Sequence, residues 1–120
     1  MINSCQKGKI GEREWAEFLR SHGFSARRGR QFSGSPDSPD VVSELPYHWE
    51  VKRVENLNLV VAMQKATEDA GVQVPVIAHR RNMSEWLVTM KAKDWIELVK
   101  EWRRLAQNAE NRQEYEEQSS

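Results

Sequence analysis

A single cysteine, Cys5, stands among the 120 residues. One thiol closes no internal disulfide, so nothing here requires an oxidising compartment. No apolar run approaches the ~20 residues of a membrane-spanning helix. The opening residues, Met-Ile-Asn-Ser-Cys-Gln-Lys, lack the apolar core of a secretory signal, and a cytoplasmic location is the expectation. There is no internal repeat and no linker long enough to split the chain. Net charge is missing too: 18 basic and 18 acidic residues cancel. Taken as a total, that argues against a polyanionic partner.

The cancellation hides an asymmetry. Residues 107–120 carry four glutamates (Glu110, Glu114, Glu116, Glu117) and one arginine (Arg112), which leaves 17 basic and 14 acidic groups in residues 1–106. The first 106 residues are therefore net +3 and the tail net −3. The basic groups cluster as Lys7/Lys9, Arg27/Arg28/Arg30 and Arg80/Arg81. Such clusters are ordinarily solvated surface, but three of them around one acidic site would be a binding face. With 38% hydrophobic and 30% charged residues, one globular domain over 1–106 is expected, followed by a flexible acidic tail over 107–120.

From Gly8 to His22 the pattern is helical. Trp15, Ala16, Phe18 and Leu19 share one face, and Arg13, Glu14, Glu17 and Arg20 the other. Gly23 ends it. Phe24 to Arg30 can form a strand, and Gln31 to Pro39, rich in Ser, Gly, Pro and Asp, reads as a loop. Asp40-Val-Val-Ser is a short strand, Leu45-Pro46 a turn, and Tyr47 to Arg53 a second strand. Asn58 to Ala70 is a helix closed by Gly71, and Val74–His79 and Glu85–Met90 are two more strands. A last helix spans about Ala92 to Ala106, with Trp95, Ile96, Leu98, Val99, Trp102 and Leu105 at helical spacing. Trp15, Trp49, Trp95 and Trp102 are expected in the core. The order α-β-β-β-α-β-β-α predicts an α/β fold, a mixed sheet flanked by helices.

The strand Tyr47-His-Trp-Glu-Val-Lys-Arg carries the decisive pattern. Alternation puts Tyr47, Trp49 and Val51 on one face and His48, Glu50 and Lys52 on the other. Alone, a Glu-x-Lys pair on a strand is as well explained by a surface ion pair worth ~0–1 kcal/mol. Ten residues upstream, however, Pro39-Asp40-Val starts the neighbouring strand, and a hairpin would bring Asp40 close to Glu50. Two carboxylates plus a backbone carbonyl, such as that of Val51, make an oxygen site suited to Mg²⁺, with Mn²⁺ a substitute. Pro36-Asp37 repeats the dipeptide, but Ser-Pro follows it where Val41-Val42 follows Asp40, so Asp40 is preferred. Glu12 projects from the apolar face of the first helix and needs a partner there. A first-turn charge favoured by the helix dipole explains it equally well. His48 shares the face of Glu50 and reads as an edge histidine rather than a ligand.

Gly8-Lys-Ile-Gly-Glu12, Pro39-Asp40-Val, Glu50-Val-Lys52 and Gln64 on the next helix together resemble the archaeal and phage Holliday junction resolvases of the PD-(D/E)xK nuclease superfamily. The resemblance spans residues 7 to 90 and leaves the last helix and tail uncovered. It implies a restriction-endonuclease-like fold, a homodimer, branched DNA as substrate and cuts that leave a 5′-phosphate. It further implies metal held by Glu12, Asp40 and Glu50, with Lys52 serving the attacking water and a loop serine at Ser33 or Ser35. Gln64 could brace the site, although a polar residue on a half-exposed helix suffices to explain it. Phosphate contacts would fall to Lys7, Lys9, Arg27, Arg28, Arg30, Arg80 and Arg81, with little reading of base sequence. The same residues would equally serve a nuclease of flaps, single strands or duplexes, and the fold could persist in a non-cleaving binding module. Neither an organic cofactor nor a membrane is expected.

Overall fold

The computed structural model describes residues 4–29 and 39–119, with side chains from Gly8 onward. Arg30, Ser33, Ser35, Asp37 and the side chain of Lys7 lie outside the described residues. The elements are α1 (Ser4–Ser21), β1 (Ala26–Arg28), β2 (Val41–Ser43), β3 (Tyr47–Arg53), α2 (Leu59–Ala70), β4 (Val74–Arg80), β5 (Leu87–Met90) and α3 (Ala92–Ser119). This is the order expected from the pattern. No helix among the described residues is long and apolar enough to cross a membrane.

The sheet has five strands in the order β1-β2-β3-β4-β5. Every pair is antiparallel except β3 and β4, which run parallel from Tyr47↔Val74 to Arg53↔Arg80. A parallel pair needs a crossover, and α2 supplies it. Asn58 caps α2, its side chain accepting from the Val61 N–H at 3.1 Å. Alanines at every fourth position, Ala62, Ala66 and Ala70, are the buried residues of α2, and their small side chains let the helix sit close on β3 and β4.

α1 covers the opposite face. Trp15, Ala16 and Leu19 join Val41, Trp49, Val51, Val76 and Ala78 in one buried cluster. Trp15 is its hub, with ring centroids 5.0 Å from Trp49 and 5.1 Å from Trp86. Trp86 is therefore a packing residue. α1 approaches β3 closely at Gly11, where a Cβ would lie 3.0 Å from that of Arg53. The helix ends at Gly23, whose φ of 92° is left-handed. Phe24 N–H donates to the Leu19 carbonyl and Gly23 N–H to that of Arg20, a Schellman closure.

Two compact units are present, Met1–Met90 and Lys91–Ser120. The second is α3 alone, which differs from expectation in two ways. It continues unbroken to Ser119, where the sequence pattern ended the helix near Ala106. The Glu, Gln, Ala and Arg residues beyond Ala106 carry high helix propensity despite their polarity. Pairs one turn apart, such as Arg104 with Glu101 and Gln113 with Glu117, add local support. Nor is any residue of α3 buried. Trp95 and Trp102, expected in the core, are 53% and 68% exposed. Helical spacing shows only that those side chains share a face.

Candidate active site

The register places the acidic residues. Val41 pairs with Trp49, so the next step along the ladder sets Asp40 opposite Glu50. Arg28 pairs with Val41, so Gly29 stands opposite Asp40, and its N–H donates to the Asp40 carbonyl at 2.9 Å. Asp40 N–H in turn donates to the Trp49 carbonyl at 3.0 Å. Beyond this point the side chain takes over the ladder: Asp40 Oδ2 accepts from the Val51 N–H at 2.8 Å. The carboxylate is thereby held at the start of β2, against the middle of β3.

Glu50 is 5% exposed, on the α2 side of the sheet. Two lysines face it, Lys52 from two residues along β3 and Lys65 from α2, each with Nζ 3.6 Å from Glu50 Oε1. Both distances exceed a hydrogen bond, so the lysines compensate charge without completing the coordination of the carboxylate. Burial is the main cause that lifts the Asp40 carboxyl, from 3.8 to about 7, with the charges of Glu50 and then Glu12 adding to it. The Val51 N–H and Lys52 pull the other way. The charges of Glu50, Glu12 and Lys52 thus all act on Asp40.

Glu12 has the partner its position demands. It is 6% exposed and accepts from Arg28 Nε at 2.9 Å. Burial on the apolar face of α1 and a paired arginine exclude the reading of Glu12 as a simple first-turn charge. Glu12→Gln is expected to lower cleavage strongly and to destabilise by about 1–3 kcal/mol, since it leaves the Arg28 guanidinium half-buried and unpaired. Chemical denaturation beside a cleavage assay checks both. Unchanged cleavage with the stability loss would make Glu12 a structural partner of Arg28 alone.

The basic candidates divide. Lys9, Arg27 and Arg81 are exposed. Arg28 is engaged by Glu12, and Arg80 reaches Glu14 at 3.3 Å and lies over the Trp86 ring at 5.6 Å. Gln64 is exposed on α2, and Lys65 is the α2 side chain that reaches Glu50. His79 shares a hydrogen bond with Thr89 at 2.9 Å, and burial lowers its pKa.

His48 departs from expectation. It is 1% exposed, one of the most deeply buried side chains, and not an edge residue. The parallel strand β4, with Pro75 opposite His48, makes β3 the central strand. One ligand atom each from His48, Glu50 and Asp69 lie within 4.8 Å of one another. Sequence reasoning passed over Asp69 and Lys65. The four-residue spacing of Ala62, Ala66 and Ala70 fixes which side of α2 meets the sheet, and Lys65 and Asp69 flank that line.

No protein-family model matches the sequence. No curated protein sequence matches it either. Among solved structures, the chain is similar to Archaeoglobus fulgidus Hjc, a Holliday junction resolvase from an archaeal hyperthermophile. The identity is 22%, the match covers 66% of this chain and 72% of the other, and the TM-score is 0.49.

Proposed function

We propose that this chain is a divalent-metal-dependent DNA endonuclease of the PD-(D/E)xK type, acting on branched DNA and most simply on four-way junctions. The observation that carries this reading is the convergence of Asp40, Glu50 and Lys52 where β2 meets β3, with Glu12 coupled to Asp40 from α1. The donor set fits a hard cation. Two crowded carboxylates, one of them hindered from ionising by burial and by the other's charge, form a site that added positive charge would relieve. Asp40, Glu50 and the Val51 carbonyl would hold Mg²⁺ or Mn²⁺, which when bound supplies Lewis acidity toward the scissile phosphate and its attacking water.

The residues divide the remaining work. Lys52 keeps its ammonium beside Glu50, where it can orient a water and meet the negative charge that grows on the phosphate oxygens. Attack of that water on phosphorus breaks the P–O3′ bond. The products are a 5′-phosphate and a 3′-hydroxyl, the leaving oxygen taking up a proton from solvent. Glu12 holds Arg28 at the edge of the site. The exposed Lys9, Arg27 and Arg81 offer contacts to phosphates without reading bases.

The deciding experiment incubates the chain with four-way junction, flap, single-stranded and linear duplex DNA, with Mg²⁺ and with chelator. Metal-dependent paired cuts in the junction alone support the full reading. Metal-dependent cutting of flaps or single strands retains the nuclease and removes the junction. No cutting of any substrate removes the nuclease.

Two symmetric cuts need two sites, and each chain carries one, so a two-fold homodimer is part of the proposal. Apolar surface is available for it: Leu87 and Val88 on β5 are 58% and 57% exposed. Trp86 and Met90, by contrast, pack on the core of their own chain. Sedimentation at micromolar concentration is expected to give twice the 14.0 kDa chain mass. A monomer both free and on DNA would count against paired cutting.

A further inference from the structure

We propose that His48, Glu50 and Asp69 form a second cation site, on the α2 side of β3, selective for a borderline divalent ion such as Zn²⁺. Three observations lead there. First, β3 and α2 bring the three ligand atoms within 4.8 Å of one another. His48 and Glu50 lie two apart on one strand face, and Asp69 lies beside Ala70, which is buried where α2 packs. Metal–ligand bonds of ~2.0–2.2 Å set neighbouring donors ~3–4 Å apart. The three donors have only a small distance to close, and Asp69 is the half-buried one among them. Second, the two strand donors are almost dry, His48 at 1% and Glu50 at 5% exposure. The ammonium groups of Lys52 and Lys65 offset the charge of Glu50 without coordinating it, so its carboxylate keeps capacity for a closer cation. Lys52 and Lys65 stand at 3.6 Å, short of hydrogen-bonding Glu50.

Third, the donor chemistry differs from that of the site at Asp40. One imidazole nitrogen with two carboxylate oxygens suits zinc, whereas carboxylate and carbonyl oxygens alone suit magnesium or manganese. Glu50 belongs to both groups, so its carboxylate would be shared if both sites were filled. Ion binding here requires neither DNA nor hydrolysis, so the site stands or falls apart from the nuclease reading.

The test uses the full chain, stripped of metal, at pH 7.5 and without DNA. Zn²⁺ is titrated by calorimetry and followed by NMR of the imidazole nitrogens, of which the chain's three histidines give a resolvable set. Zn²⁺ is expected to shift the ring nitrogen of His48 to the metal-bound range and to leave His22 and His79 in place. Asp69→Asn, half-buried and polar, is expected to keep the fold and to weaken Zn²⁺ binding by at least about tenfold, the least that loss of a supporting ligand costs. Asp40→Asn is expected to keep the His48 shift. An unmoved His48 at saturating Zn²⁺ would overturn the proposal. So would unchanged Zn²⁺ affinity in folded Asp69→Asn, or loss of the His48 shift in Asp40→Asn. Zinc held by His48 in a protein that cuts no DNA would remove the nuclease and leave this site.

Discussion

Asp40→Asn is expected to abolish cleavage and, in metal-free buffer above neutral pH, to make the protein more stable than the parent. The folded carboxyl titrates at about 7 against an ordinary value of 3.8. Between those values the unfolded chain has lost its proton and the folded chain has kept it. The folded state then binds more protons, so stability falls as pH rises from about 4 to about 7 and remains lower above that. A shift of this size is worth at most ~4 kcal/mol, and partial exposure of Asp40 reduces the expected gain to ~1–3 kcal/mol. Asparagine removes the charge that Glu50 and Glu12 oppose and still offers an oxygen to the Val51 N–H, now accepted at 2.8 Å. Urea denaturation with chelator should show the gain at pH 8 and almost none at pH 4, where the carboxyl is already protonated. A variant less stable than the parent at pH 8 would refute the electrostatic account. Added Mg²⁺ should raise the stability of the parent and not of the variant. Cleavage should fall by roughly 10³-fold or more, since loss of a metal ligand removes several kcal/mol of transition-state stabilisation, and Glu50→Gln and Lys52→Ala should match it. In the parent at limiting Mg²⁺, cleavage should rise with pH through about 7 as Asp40 ionises. Full activity in Asp40→Asn would transfer the role to Asp37.

Why so much of this site was visible in the sequence, and the rest was not, is a matter of which periodicities are local. Strand alternation is local, so the separation of Trp49 and Val51 from Glu50 and Lys52 follows from Tyr47–Arg53 alone, as does the hairpin that sets Asp40 opposite Glu50. Glu12 stood out because a charge on the face of Trp15 and Leu19 conflicts with burial. Its partner Arg28 belongs to a strand sixteen residues away, which no local pattern joins to α1. The histidine at 48 was misplaced for a similar reason: whether β3 is an edge or a centre depends on β4, twenty-one residues beyond its end. Asp69 reaches the site only through the packing of α2, which three alanines decide and which hydrophobic periodicity registers weakly. The last helix failed in the opposite sense. Its apolar stripe is strong, but a stripe names a face and not what covers it, and α3 by itself buries nothing.

Gly29→Ala is expected to lower cleavage by on the order of 10²-fold, although Gly29 has no side chain to contribute. A Cβ there would lie 2.1 Å from the Pro39 carbonyl oxygen, which is backbone and cannot rotate away. To accept the methyl, the chain at Pro39-Asp40 must move off β1, breaking the Gly29 N–H bond to the Asp40 carbonyl. The same shift drags the carboxylate from the Val51 N–H and from Glu50. A misplacement of ~1 Å at a reacting group can cost on the order of 10²-fold in rate. Overpacking of this kind costs ~1–3 kcal/mol in stability, so the protein should remain folded at room temperature and the two effects can be measured apart. The comparison that isolates the cause is Val42→Ala, two residue pairs from the contact on β2, which removes apolar volume without touching Asp40. If Gly29→Ala cuts at the parental rate while folded, Asp40 does not need its present position. If both variants lose activity alike, the loss follows stability and not the placement of the carboxylate.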